Sequence, residues 1–76
     1  MKSLKTIKKE LEALGFSIYE HEGFLTLSTE QGNLDAFEYV NFDYPIDLIP
    51  TLRILAKNAG YEWQCEYTGT YRLYPL

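Results

Sequence analysis

The feature that most constrains the fold is an internal repeat. Gly15 and Gly60 lie 45 residues apart, and the residues before them match at that offset. Leu4 pairs with Ile49, Ile7 with Leu52, Lys8 with Arg53, Leu11 with Ala56 and Leu14 with Ala59. Beyond the glycines, Phe16 matches Tyr61 and Ile18 matches Trp63. One extra residue in the second turn then aligns Gly23 with Gly69, Leu25 with Tyr71 and Leu27 with Leu73. Each half reads as a helix, a glycine stop and a hairpin.

The local chemistry supports those elements. Leu4, Ile7, Leu11 and Leu14 recur at helical spacing, with Ser3 placed to cap and Gly15 to stop a helix over residues 3–14. Its charges oppose the helix dipole, since lysines crowd the N-terminal half and Glu10 and Glu12 sit nearer the C-terminus. Leu48, Leu52, Leu55 and Ala59 form a second stripe. There Asp47 is the expected cap, and Pro50 is tolerated in the first turn. Residues 16–29 read as a hairpin turning at Glu22-Gly23, with Tyr19 opposite Thr26 and His21 opposite Phe24. Phe16, Ile18, Leu25 and Leu27 then share the core face, and Ser17, Tyr19, His21, Phe24, Thr26 and Ser28 the other. Residues 61–74 read as a second hairpin. A three-residue loop, Tyr67-Thr68-Gly69, is preferred because it sets Leu73 against Trp63 and Tyr71 against Cys65, and register follows the buried face. Glu62, Gln64, Glu66, Thr70 and Arg72 then line the polar face, with Arg72 within reach of both glutamates.

Between the halves, Gln31-Gly32-Asn33 is a turn, residues 36–42 are β-prone, and residues 43–46 read as a loop carrying Pro45. The expected fold is α+β: one domain over residues 1–76 in αββ(β)αββ order, with pseudo-repeats at 3–29 and 48–74. Two helices cover one face of an antiparallel sheet, in the manner of a circularly permuted ferredoxin-like fold. Residues 36–42 would add an edge strand to that sheet.

Charge is segregated along the chain. Residues 1–9 hold Lys2, Lys5, Lys8 and Lys9 and no acid. Residues 10–52 hold Glu10, Glu12, Glu20, Glu22, Glu30, Asp35, Glu38, Asp43 and Asp47 and no Lys or Arg. The remainder is nearly balanced, so the net charge of −4 understates the asymmetry. Phosphate recognition calls for clustered Lys and Arg, so direct nucleic-acid binding is not expected. An acidic face suits a basic protein partner, whose association it would speed and make salt-sensitive.

Catalytic and metal chemistry find little footing. One Cys excludes an internal disulfide, and one Cys with one His cannot build a four-ligand zinc site. The five glycines are dispersed at stops and turns rather than gathered in a phosphate loop. Cys65 is expected in the core and His21 on the open face, which separates any thiol–imidazole pair. No cofactor and no metal is expected. The absence of a signal peptide and of a long apolar run points to a cytoplasmic protein without membrane contact. Residues 7–16 (IKKELEALGF) are similar to the opening helix of HicA-type toxins. The catalytic Gly-Ser-His of that family has no counterpart here, so the resemblance assigns nothing.

Seven Tyr, four Phe and one Trp exceed what a core this small encloses, and exposed aromatic rings favour interfaces. The expectation is a small acidic, non-enzymatic protein-binding module. It would be an inhibitor of a nucleic-acid-binding host complex, of the anti-CRISPR or anti-restriction type encoded by phages and mobile elements. The candidate partner-binding residues are Glu20, Glu22, Glu30, Asp35, Glu38, Asp43, Asp47, Tyr19, His21, Phe24, Tyr39 and Tyr44. The alternatives are a self-associating structural or regulatory domain, as a homodimer, and a small ligand-binding domain or enzyme using His21.

Overall fold

The computed structural model describes residues 2–41 and 44–76. Helix α1 spans Leu4–Ala13, strands β1 and β2 span Tyr19–His21 and Phe24–Ser28, and single 3₁₀ turns follow at Thr29–Gln31 and Leu34–Ala36. Strands β3 (Phe37–Asn41) and β4 (Tyr44–Leu48) come next, then helix α2 (Pro50–Asn58) and strands β5 (Tyr61–Tyr67) and β6 (Thr70–Pro75).

The two repeated hairpins join into one antiparallel sheet of order β1-β2-β6-β5. That order, with two αββ units contributing adjacent central strands, is the one a circularly permuted ferredoxin-like sheet requires. Most matched positions of the repeat do matched work. Ile7 and Leu52 are both buried, as are Leu11 with Ala56, Leu25 with Tyr71, and Leu27 with Leu73, whereas Leu14 is exposed and its match Ala59 is buried. Helix and strand residues meet in one cluster, so both helices cover the same sheet face and the architecture is a two-layer α+β sandwich. Trp63 fastens strand to helix by donating its indole N–H to the Leu52 carbonyl at 3.1 Å. The start of the chain is tied to the second repeat: the Lys2 N–H donates to the Ala59 carbonyl, and the Tyr61 hydroxyl to the Lys2 carbonyl.

Turn chemistry sets the hairpin registers. Glu22 and Gly23 both take positive φ, at 54° and 86°, which is the two-residue turn that matches strand twist. Tyr19 faces Thr26 and His21 faces Phe24 as expected. In the second hairpin Trp63 faces Leu73 and Cys65 faces Tyr71, again as expected. The extra residue sits elsewhere, however. Thr68-Gly69 is a two-residue turn with Tyr67 opposite Thr70, and Glu66 is the bulged residue between Cys65 and Tyr67. Gly69 is required there. Its φ is 79°, and an added Cβ would lie 2.7 Å from Thr29 Oγ1.

Residues 37–48 depart from the expectation. β3 does not join the main sheet as an edge strand, because residues read as a loop form β4 and pair with it in a separate two-stranded sheet. This insert packs beside the helices: Phe37 and Leu48 enter the core, and the Phe37 ring lies 5.8 Å from that of Tyr71. Asp47 consequently lies in β4 and is not the cap of α2, whose N-cap is Ile49. The insert closes at its base where the Ile49 N–H donates to the Ala36 carbonyl at 2.9 Å. Pro45, two register shifts and the facing acids Glu38 and Asp47 all weaken it as a partner for another strand.

Candidate functional site

The twelve candidate residues divide between two places. Tyr19, Glu20, His21, Glu22 and Phe24 belong to the β1–β2 hairpin. Glu30, Asp35, Glu38, Tyr39, Tyr44 and Asp47 belong to the insert and the turns leading into it. Asp43 lies outside the described residues.

The open sheet face satisfies part of its own charge. Arg72 forms a 3.7 Å ion pair with Glu22 of the first hairpin, and its guanidinium lies 5.7 Å from the centre of the Phe24 ring. Arg72 also feels the charge of Glu66, as expected, and strand order sets β6 beside β2, which brings Glu22 within range. Phe24 in turn stacks on Tyr74 at 4.7 Å, and the Tyr74 hydroxyl donates to Glu66 at 2.6 Å. Hydrogen bonding to that carboxylate raises the Tyr74 pKa, and the bond to Tyr74 raises that of Arg72. Burial, together with neighbouring Tyr67 and Glu30, raises that of Tyr19. Thr26 and Ser28, expected on a solvent-facing surface, are buried. Thr26 lies in register between Tyr19 and Arg72. The Ser28 hydroxyl meets that of Thr70, and the buried Asn33 amide donates to the carbonyls of Ser17 and Ser28 while accepting from the Ser17 N–H.

His21 and Cys65 do not meet. They stand on the two opposite edge strands, about 14 Å apart at the usual strand spacing. The His21 side chain is exposed beside Glu22. Cys65 is exposed too, against the expectation of a core thiol. It does face the helix side, but it lies at the turn end of β5, beyond the buried Tyr61 and Trp63. No group of three His, Cys, Asp or Glu among the described residues could hold a metal ion. No described helix is long and apolar enough to cross a membrane.

The insert has the opposite character. Four of the eight large apolar residues exposed on the described chain are here: Leu34, Val40, Tyr44 and Ile46. Two of them are exposed by bulges. The register jumps from Glu38–Asp47 to Tyr39–Pro45 and then to Asn41–Tyr44, which leaves Ile46 on one strand and Val40 on the other without a partner. A bulge re-aims the side chain it carries, and these two stand 51% and 66% exposed. An open groove runs beside β3, lined by Leu34, Asp35, Phe37, Tyr39, Val40 and Asn41. The Tyr39 hydroxyl is buried with no hydrogen-bond partner among the described residues.

The acids around this surface differ from one another. One oxygen of Asp47 accepts from the Arg53 guanidinium, from the Leu48 N–H at 2.7 Å and from the Tyr71 hydroxyl at 3.1 Å. Partial burial pushes the Asp47 carboxyl up, but these three donors outweigh it and hold the pKa below the ordinary value. Burial, and then the bond to Asp47, push Tyr71 up to about 12. Glu30, Asp35 and Glu38 have no ion-pair partner among the described residues. The lysines of α1 do not serve them, and Lys2, ahead of α1, pairs with Glu10 of that helix. Leu34, Val40 and Ile46 were not legible as site residues. Their β-branched or aliphatic character reads as core until bulges and turn geometry turn them outward.

Comparison with known proteins finds no matching family model, no matching curated protein and no matching solved structure.

Proposed function

We propose that this chain is a non-enzymatic protein-binding module that docks through its insert and the turn leading into it, residues 34–41 and 44–48, on a basic surface of another protein. One observation carries the reading: a single region combines exposed aliphatic side chains with two carboxylates, Asp35 and Glu38, that no cation among the described residues neutralises. Apolar anchors ringed by unpaired charge are what a polar-rimmed interface presents before its partner arrives. The open sheet face supports the role less well, because Arg72 already engages Glu22 and the Phe24 ring there. A negative docking element favours a partner that itself binds nucleic acid, since such surfaces are rich in Lys and Arg. Covering that surface would make the chain an inhibitor of the anti-CRISPR or anti-restriction type, acting in the cytoplasm without touching nucleic acid.

The test is affinity capture with the tagged chain and with a Asp35→Lys/Glu38→Lys variant, with captured proteins identified by mass spectrometry. The reading expects one or more basic proteins that the variant fails to retain. It also expects their release near 1 M salt, where the screening length is ~3 Å. Capture unaffected by both the variant and salt, or an absence of any basic partner, would overturn it.

A further inference from the structure

We infer that the groove beside β3 receives a short linear segment of the partner in which one aliphatic residue is flanked by Lys or Arg. This rests on the docking role proposed for the insert and adds what the groove reads and how. The floor and walls are apolar, from Leu34, Phe37, Tyr39 and Val40, which calls for an apolar anchor. Asp35 lines the same groove, and the exposed Glu38 stands three residues further on, in β3 between the groove-lining Phe37 and Tyr39. Both lack an ion-pair partner among the described residues, so charge complementarity places cations on either side of the anchor.

The mode of reading follows from the backbone. Among the described residues β3 pairs only with β4, so no described strand covers its outer edge. Strand addition would use that edge, with affinity from main-chain hydrogen bonds. The bulge at Val40 interrupts the edge, and the 3₁₀ turn Leu34–Ala36 leaves only Phe37, Glu38 and Tyr39 of β3 before it, with a register shift already between Glu38 and Tyr39. Three residues make too short a template for a stable added strand. Recognition is therefore by side chains, an anchor in the groove and cations on its rim, and is indifferent to whether the ligand backbone can donate hydrogen bonds.

The experiment titrates the full chain with fluorophore-labelled Lys-Lys-Leu-Lys-Lys and three relatives: Leu replaced by Ala, the lysines replaced by Glu, and the backbone N-methylated around Leu. Binding of the parent and the N-methylated peptide, with loss of at least about tenfold for the other two, is expected. In the protein, Leu34→Ser and Val40→Ser each reduce affinity about tenfold. Asp35→Asn with Glu38→Gln flattens the salt dependence. Ile54→Ser, an exposed aliphatic on α2, changes nothing. All five substitutions are at exposed positions, so circular dichroism should report an unchanged fold. Equal binding of the Ala peptide, or loss on N-methylation, overturns the side-chain mode. If no peptide binds while a basic protein is still captured through Asp35 and Glu38, this inference fails and the docking role stands. If capture too is lost, both fail.

Discussion

Asp47 is where the insert is fastened to the rest of the molecule, and its replacement gives a prediction with a magnitude. Its single accepting oxygen holds Leu48 of its own strand, Arg53 of α2 and Tyr71 of β6. Hydrogen bonds to a charged group contribute ~1.5–3 kcal/mol when buried. The Asp47 side chain is 46% exposed, so water replaces part of what is lost, and an exposed ion pair alone is worth under about 1 kcal/mol. Asp47→Ala also strands the hydroxyl of Tyr71, a residue only 6% exposed, which adds a desolvation cost of ~1–3 kcal/mol. The expected loss is ~2–3 kcal/mol, or roughly 10–20 °C in Tm for a domain of this size. Asp47→Asn keeps an acceptor and loses only the charge, so it should cost ~1 kcal/mol. Urea unfolding measures both, and a cycle with Tyr71→Phe isolates the coupling. The pH dependence has a definite sign. The folded pKa of Asp47 lies below its unfolded value, so its contribution is complete above the unfolded value and is lost as pH falls through the folded one. Asp47→Asn should flatten that acid limb. For Tyr71 the folded pKa is raised to about 12, so its contribution holds below pH 10 and fades as pH rises through 12. An Asp47→Ala chain within ~0.5 kcal/mol of the parent, with an unchanged acid limb, would refute the reasoning.

Tyr39→Phe removes a buried hydroxyl that has no partner among the described residues, so thermal unfolding should show no loss and a gain of up to ~1 kcal/mol. Gly69→Ala combines a positive φ with a 2.7 Å approach to Thr29 Oγ1, and should cost at least ~1–2 kcal/mol by denaturant titration. Asn33→Ala opens three hydrogen bonds that join Ser17 and Ser28 to the loop, and a loss of ~2–3 kcal/mol is expected. Sedimentation at micromolar concentration and low salt should find a monomer, because facing two inserts would set unpaired carboxylates against each other.

Sequence periodicity carried the repeated parts of this fold and little of what lies between them. Helical stripes, glycine stops and an alternating face are short-range signals, and they set the registers Tyr19–Thr26 and Trp63–Leu73 correctly. The insert escaped because its signals point elsewhere. Pro45 reads as a loop residue, and Asp47 three residues before Pro50 reads as a helix cap. In the fold, Asp47 is instead claimed by Arg53 and Tyr71, a tertiary preference that no local pattern encodes. Cys65 illustrates the same limit: alternation gave its face correctly, but which stretch of β5 the helices cover depends on where they end. The candidate site was legible in its charge and not in its shape. Acids show in composition, whereas the exposure of Val40 and Ile46 depends on two bulges that only strand pairing reveals.

Backbone hydrogen exchange on the chain with and without its captured basic partner tests the central claim most directly. The account predicts slowed exchange confined to residues 34–41 and 44–48, with Thr26, Arg72 and the rest of the open sheet face unchanged. Protection centred on Tyr19, Phe24 and Tyr74, with the insert exchanging as in the free chain, would contradict it.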